Sequence, residues 1–252
     1  MIIFILNSAI HLKAIFFLPV LISYYLHAQY VSGEEVIKSM YDQYKNQWYQ
    51  NVSFEQYAYF YENDSVTKTE IWQEAYVATG MLGIRFNGFD SKNGMLFRND
   101  SVYIFADGNL KNSGQKIHDL LLLGFDVYNQ FPEVTVEKLK QSGFDLTKVY
   151  EIKTDSMDII VVGAEPGDLN TNQFWIEKKR MLFLRMIKNS QKGKQEVFFN
   201  DYEKLDGGWI EKEVLFYLDD KLYMKEKYFN ISTKTVLNSN LFIHTNFIKS
   251  KW

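Results

Sequence analysis

Side chains that could do acid–base or metal chemistry are few in this sequence. After residue 28 there are two histidines, His118 and His244, which lie far apart and lack the spacing of a metal site. Cysteine is absent, which excludes disulfides, thiolate zinc sites and cysteine nucleophiles. We interpret both histidines as surface or helix-start residues. We therefore predict no catalytic residue, no metal ligand and no cofactor.

Gly-Phe-Asp triplets occur at residues 88–90, 124–126 and 143–145, and together they could form a site of three carboxylates. Their spacings are unequal, and each triplet falls at the boundary of a predicted element, where Gly and Asp serve turns and caps. The loop at residues 163–168 lacks the lysine and the following helix that a phosphate site requires. No nucleophile elbow or dinucleotide motif occurs. These patterns indicate a protein that is not an enzyme.

Three arginines within predicted strands, Arg85, Arg98 and Arg185, are the remaining candidates for ligand binding. Each could face outward, to solvent or to a salt-bridge partner. Alternatively, each could lie at the rim of a cavity and meet an anionic or carbonyl head group. The sequence leaves both interpretations open.

Length and composition limit the classes of protein to which this chain can belong. The chain has 252 residues, of which 46% are hydrophobic and 17% aromatic, so it can form a sizeable core. It contains three prolines and no Ser/Gly-rich linker, which favours a single domain over residues 29–252. The formal net charge is −3 and no basic block occurs, which argues against nucleic acid as a partner.

The first 28 residues have the features of a secretory signal peptide. A cation, Lys13, precedes a short apolar run, and Ala28 precedes the polar start at Gln29. The alternative is a membrane anchor, but Pro19 interrupts the run, which falls short of the roughly 18 residues that a span needs. We predict cleavage after Ala28 and an exported, soluble protein.

The order of predicted elements is helix, strands, helices, strands. A capping box at Ser32 and Glu35 opens an amphipathic helix. Period-two alternation then predicts about eleven strands in two groups, separated by a leucine run at residues 120–123 and a short helix at residues 134–141. An antiparallel sheet of this length curls. The fold class is therefore mainly β with helices (α+β): a curved, unclosed antiparallel β-barrel with a helical lid and a hollow centre.

Residues 173–186 form a predicted hairpin around a basic link. Alternation places Phe174 and Ile176 on one face of the first strand. In the second strand Leu182, Leu184 and Met186 share a face. This apolar surface belongs either to an ordinary core or to the lining of a cavity.

A sequence of short segments follows the first helix: Phe-Glu-Gln at residues 54–56, Trp-Gln-Glu-Ala-Tyr-Val at 72–77, Gly-Met-Leu-Gly-Ile-Arg-Phe at 80–86, Asn-Asp-Ser-Val-Tyr at 99–103, the leucine run, Gln-Phe-Trp-Ile-Glu at 173–177, and Arg185. Their order and hydrophobic character resemble the LolA-like family of outer-membrane lipoprotein-sorting proteins. The resemblance covers most of residues 32–230. It implies a periplasmic carrier whose apolar cavity takes the acyl chains of lipoproteins.

Two departures from the family pattern have consequences. The family's carriers have an Arg-Pro pair just before the strand at Gly80, and the arginine holds the lid, whereas Ala78 and Thr79 stand here. The family's membrane-bound acceptor is itself a lipoprotein, which the absence of cysteine excludes. The resemblance therefore places this chain on the carrier side.

We accordingly predict a monomeric periplasmic carrier or chaperone for acylated lipoproteins or another lipid-like ligand, working with membrane-bound donor and acceptor proteins toward the outer membrane. One alternative is an envelope sensor or scaffold that uses the same fold for protein–protein interaction. Another is an envelope hydrolase with paired carboxylates, for which no sharp set of residues is present. The predicted cavity lining is Trp72, Tyr76, Leu82, Ile84, Phe86, Tyr103, Phe105, Leu120, Leu121, Leu122, Leu123, Phe174, Ile176, Leu184 and Met186.

Overall fold

The computed structural model describes residues 30–252, so the predicted signal peptide and its cleavage site lie outside the described residues. The first half contains one helix and six strands: α1 (Gly33–Tyr44), β1 (Asn51–Glu62), β2 (Ser65–Val77), β3 (Met81–Phe86), β4 (Asn93–Arg98), β5 (Ser101–Ala106) and β6 (Asn109–Gln115). Two helices follow, α2 (Asp119–Gly124) and α3 (Pro132–Gln141), with a 3-10 turn at Asp126–Tyr128 between them.

The second half is again mostly strand: β7 (Val149–Lys153), β8 (Asp158–Val162), β9 (Gln173–Glu177), β10 (Leu182–Ser190), β11 (Gly193–Asn200), β12 (Glu203–Leu205), β13 (Gly208–Ile210), β14 (Glu213–Leu218) and β15 (Lys221–Ser232). A C-terminal segment contains a 3-10 turn at Ser239–Phe242 and the short helix α4 (His244–Phe247).

Thirteen strands form one antiparallel sheet in the order β6-β5-β4-β3-β2-β1-β15-β14-β11-β10-β9-β8-β7. The first half meanders away from β1 on one side, and the second half returns to β1 from the other side. The sheet is curved and its two edge strands, β6 and β7, do not meet, which confirms the predicted unclosed architecture.

The strand count exceeds the predicted eleven for physical reasons. Strand β6 was not predicted because all its residues are exposed, so neither face imposes an apolar alternation. The run from Trp209 to Tyr217 divides into β13 and β14, and β13 pairs with β12 in a separate two-stranded ribbon.

Turn residues join the hairpins where the sequence predicted them. Asn63 and Asp64 connect β1 to β2 with φ of 50° and 60°, and Asp219 and Asp220 connect β14 to β15 with φ of 48° and 63°. Two consecutive left-handed residues give a hairpin turn whose twist matches that of the strands, and Asn and Asp tolerate that conformation. These turns fix the register of both hairpins.

The helices cover one face of the sheet, which we call the inner face. Val36, Ile37 and Met40 of α1 are fully buried in the main core together with strand residues of this face. The helix begins at the predicted cap, where the Glu35 amide donates to the Ser32 hydroxyl over 3.3 Å. The Glu35 carboxylate in turn accepts from the Val31 amide over 3.1 Å.

The C-terminal segment covers the opposite, outer face of strands β2 to β5. Phe242 and Phe247 are fully buried there, in a second core with Ala75, Leu96 and Phe105. A Cβ on Gly83 would lie 2.8 Å from the Phe247 ring, so a glycine is needed for this close approach. Within residues 30–252, no helix has both the length and the apolar character that crossing a membrane demands.

Candidate ligand-binding cavity

A cavity of about 320 Å³ lies between α2 and the inner face of the central strands. Its wall is mostly aromatic and aliphatic, and two carboxylates and a histidine are set into it. The lining residues are Phe54, Trp72, Glu74, Tyr76, Leu82, Ile84, Met95, Phe97, Lys116, His118, Leu120, Leu121, Phe125, Phe199, Val214, Phe216, Tyr223, Met224, Glu226 and Tyr228. Its volume is at the lower end of the range for small-molecule pockets, about 300–1,000 Å³.

Helix α2 forms the roof of the cavity. His118 is its N-cap, because its Nδ1 accepts from the Leu121 amide over 3.2 Å. Burial lowers the pKa of His118 to about 4, so the ring is neutral near pH 7 and can act as this acceptor. Its edge packs against the Phe97 ring, 4.4 Å away between centroids. A Cβ on Gly124 would lie 2.7 Å from the Phe199 ring, so glycine lets the helix approach β11.

The four leucines of α2 point in different directions. Leu120 and Leu121 line the cavity. Leu122 and Leu123 are buried in the main core, at 2% and 0% exposure. The helix is too short to separate an apolar from a polar face, and it is covered on more than one side.

Asp126 ties the roof to the sheet. Its Oδ1 accepts from the Tyr76 hydroxyl over 2.9 Å and from the Gly80 amide over 2.8 Å. Burial raises its pKa to about 6, and these two hydrogen bonds oppose part of that rise. An ion pair between Asp119 and Lys188 holds the other end of α2. This end of α2 is therefore held to the sheet by a buried carboxylate.

Two buried glutamates, Glu74 and Glu226, interrupt the apolar wall, with 5% and 7% exposure. Burial raises the pKa of Glu74 well above its usual value, and the nearby carboxylates of Glu226 and Glu211 add to this effect. Burial also raises the pKa of Glu226 to about 7. Its carboxylate accepts from the Tyr228 hydroxyl over 3.5 Å.

Six of the predicted lining residues lie on the cavity wall: Trp72, Tyr76, Leu82, Ile84, Leu120 and Leu121. Phe86 packs beside Trp72, 4.6 Å between ring centroids, and is partly buried against the main core. Phe174 and Ile176 are fully buried in that core, outside the lining. Met186 lines a smaller adjoining cleft of about 150 Å³ that also reaches Leu120.

The prediction for Leu184 is wrong. The pairing of β9 with β10 shifts register between Phe183 and Arg185, which changes the face on which the following side chains lie. Phe183, predicted on the opposite face, is fully buried in the main core, 4.8 Å from the Phe199 ring. Leu184 is only partly buried and lies outside both cores.

The prediction for Tyr103 and Phe105 is also wrong. Both side chains lie on the outer face, where Phe105 contacts Phe247 and Tyr103 stacks on His244. The C-terminal segment buries this face of β5, so both faces of the strand are apolar and alternation alone does not identify the inner one. His244 is therefore a stacking residue of the C-terminal segment.

All three candidate arginines lie outside the cavity. Arg85 is fully buried under the C-terminal segment, where its Nη1 donates to the Ile248 carbonyl over 3.0 Å. Arg98 donates to the Phe242 carbonyl over 3.0 Å. Arg185 pairs with Glu196 and stacks on Trp175, 4.3 Å from the ring centroid. The interpretation as rim residues that meet a head group is therefore wrong.

Sequence reasoning did not predict the lining residues of β1 and β15, and it did not predict the two glutamates. Phe54 and Tyr228 share the inner face with Trp72, as the strand pairing requires. Glu74 stands between two aromatic residues of one face, Trp72 and Tyr76, and this acid within an apolar run was a signal that sequence reasoning could have used. Within residues 30–252, no group of three metal-ligating side chains occurs.

The fold was compared with known proteins. Protein-family models and curated proteins gave no match to the sequence. Solved structures did match. A protein domain assigned to outer membrane lipoprotein sorting, from Vibrio parahaemolyticus, has a TM-score of 0.58 with 14% identity over 86% of this chain and 98% of that one. A LolA superfamily protein from Nitrosomonas europaea has a TM-score of 0.53 with 9% identity, over 85% and 98%.

The fold is LolA-like. A DUF1329 family protein from Desulfovibrio piger shares this LolA-like fold, with a TM-score of 0.55 and 16% identity over 84% of this chain and 96% of that one. At these identities the likeness concerns the fold. Within the LolA-like fold of this protein, the cavity lies beneath α2 and is the candidate site.

Proposed function

We propose that this protein is a non-enzymatic carrier that binds an acyl chain, of a lipoprotein or a similar lipid-like ligand, in the cavity beneath α2. The observation that carries the proposal is the apolar cavity of about 320 Å³ between the inner face and the leucine helix. Its volume suits one chain. We further propose export to the periplasm after cleavage at Ala28, action as a monomer, and exchange of the ligand with membrane-bound donor and acceptor proteins.

The energetics of an alkyl chain favour a movable roof. Burying a 16-carbon chain contributes on the order of 12 kcal/mol, at about 0.8 kcal/mol per CH₂. A rigid, dry cavity would therefore release its ligand slowly. Helix α2 is only six residues long, with Asp126 and the Asp119–Lys188 ion pair holding its ends and Leu122 and Leu123 buried in the main core, so opening it breaks polar contacts at its ends and the packing of these two leucines.

Alanine substitutions of the four leucines test the carrier function. We expect Leu120→Ala to weaken the binding of a fluorescent acyl probe with little loss of stability, because the Leu120 side chain is partly buried and borders the cavity. Leu123→Ala is the matched control on the same helix. It should cost about 2–5 kcal/mol of stability and leave the probe affinity unchanged. The measurements are urea unfolding and probe titration.

Two outcomes would contradict the carrier proposal. If all four substitutions reduce stability while probe affinity never changes, or if no apolar probe binds the wild type, the carrier proposal fails. An envelope sensor or scaffold with a filled interior would then replace it. Mass spectrometry of lipids that co-purify with the protein gives an independent measurement.

A further inference from the structure

Glu74 is placed where an ionised carboxylate has no compensation. It lies on the cavity wall between Phe54 of β1 and Ile84 of β3, which are its neighbours across the two strand pairings. Within residues 30–252, only burial and the carboxylates of Glu226 and Glu211 act on the pKa of Glu74, and no hydrogen bond or cation lowers it. A buried carboxylate without a partner destabilises a protein by several kcal/mol when it is charged.

Gln56 belongs to the polar surroundings of Glu226. It is fully buried on the inner face of β1, opposite Trp72 on one side and Tyr228 on the other, both of which line the cavity. Its side chain lies close enough to Glu226 to lower the pKa of that carboxyl. Yet neither its amide nitrogen nor its amide oxygen has a hydrogen-bond partner within the described chain. Buried amides are normally paired, so the polar groups next to Glu226 are not fully satisfied by the described residues.

The charges around these groups are of one sign. Glu226 and Glu211 both add negative charge near Glu74. One cation, Lys116, also lines the cavity; it is exposed and acts on His118, whose ring is neutral. Above the Glu226 pKa of about 7, the carboxylates of the wall thus offer acceptors and negative charge, whereas most of the remaining lining is apolar.

We infer that the cavity selects amphiphiles whose head group is an ammonium ion, held by the carboxylates of Glu74 and Glu226 in its wall. The inference rests on the proposed binding of alkyl chains in the same cavity. An ammonium group carries three hydrogen-bond donors and a positive charge, and the two carboxylates have no other cationic partner among the described residues. Its alkyl chain would lie along Phe97, Met95 and Leu120. A fatty-acid carboxylate in the same position would meet like charges and is disfavoured.

Three probes of equal chain length test this selectivity. Dodecylamine, dodecanol and dodecanoate, each below its micelle concentration, compete with a fluorescent alkyl probe at about pH 8, where the amine is charged. We expect wild-type protein to bind dodecylamine about tenfold more tightly than dodecanol, and dodecanoate most weakly. Glu74→Gln and Glu226→Gln should each abolish most of this preference while keeping the affinity for dodecanol.

The matched control is Glu55→Gln, which removes the same charge from the adjacent position of β1, where the side chain hydrogen-bonds Asn230 outside the cavity. It should leave the order of affinities unchanged. The inference is overturned if dodecylamine and dodecanol bind equally well, if dodecanoate binds best, or if the preference survives in both glutamine variants. Failure of all three probes to bind would instead refute the carrier function itself.

Discussion

At the residue scale, the buried glutamates make the stability of the protein depend on pH. The folded-state pKa of Glu226 is about 7, well above the ordinary carboxyl value, because burial destabilises its charged form. Between roughly pH 4.5 and pH 7 the unfolded chain loses this proton and the folded chain keeps it, so stability falls as pH rises. Glu74 acts in the same direction.

We therefore expect Glu226→Gln to be more stable than wild type at about pH 8, by on the order of 3 kcal/mol, and nearly equal to it at about pH 4. Urea unfolding at both pH values measures the difference. The groups that face Glu226 are Gln56, Tyr228, Glu74 and Glu211, and all are retained in this variant. A parallel pH dependence in wild type and variant would contradict the assignment.

Sequence patterns could not locate these carboxylates as a pair. Glu74 and Glu226 are 152 positions apart and lie on strands that both flank β1, a neighbourhood that only the return of β15 to the first hairpin creates. Alternation along one strand shows which of its side chains share a face, but it does not show which strands lie beside it. Candidate lining residues with short-range signals, such as Leu120 and Leu121 of α2, could be predicted from the sequence.

At the element scale, α2 is held to the sheet by the Asp126 carboxylate. Asp126→Ala would leave the Gly80 amide and the Tyr76 hydroxyl without their acceptor, at about 1–3 kcal/mol for an unsatisfied buried group. We expect faster hydrogen exchange of the amides in residues 119–128 and faster probe entry. Asp126→Asn retains an acceptor oxygen and serves as the control. Unchanged exchange in the alanine variant would show that the roof is held by packing alone.

The hairpins show how far element-scale prediction reaches. Turn residues and alternation gave the antiparallel architecture and the strands that flank the lid, because these depend on neighbouring residues. The register shift in β10 and the doubly covered β5 escaped prediction, since each depends on what packs on the strand from a distant part of the chain. The C-terminal segment had no clear pattern, and its place on the outer face follows from tertiary contacts.

At the scale of the whole molecule, Arg85 attaches the C-terminal segment to the back of the cavity wall. Its guanidinium donates to the carbonyls of Phe247, Ile248 and Ser250 over 3.4, 3.0 and 3.3 Å. We expect Arg85→Ala to destabilise the protein by about 2–4 kcal/mol and to release the segment, so that trypsin cleaves faster after Lys249 and Lys251. Arg98→Ala, which removes a single such hydrogen bond, is the milder control.

Because this segment lies on the outer face, folded Arg85→Ala protein should still bind an alkyl probe. Limited proteolysis followed by mass spectrometry reports release of the segment, and probe titration reports the cavity. Loss of binding without release of the segment would show that the outer face contributes to the ligand site.

The polar edge strand β6 has a consequence for how such a protein behaves in crowded surroundings. An open sheet exposes backbone donors and acceptors along its margin, and these can recruit a strand from another copy into an aggregate. Every side chain of β6 is exposed, a lysine stands at Lys111, and Gly114 adds no apolar surface. A second strand added there would bury little apolar area, since Leu110 is the one large apolar side chain of β6. This margin of the sheet can thus stay unpaired at high concentration.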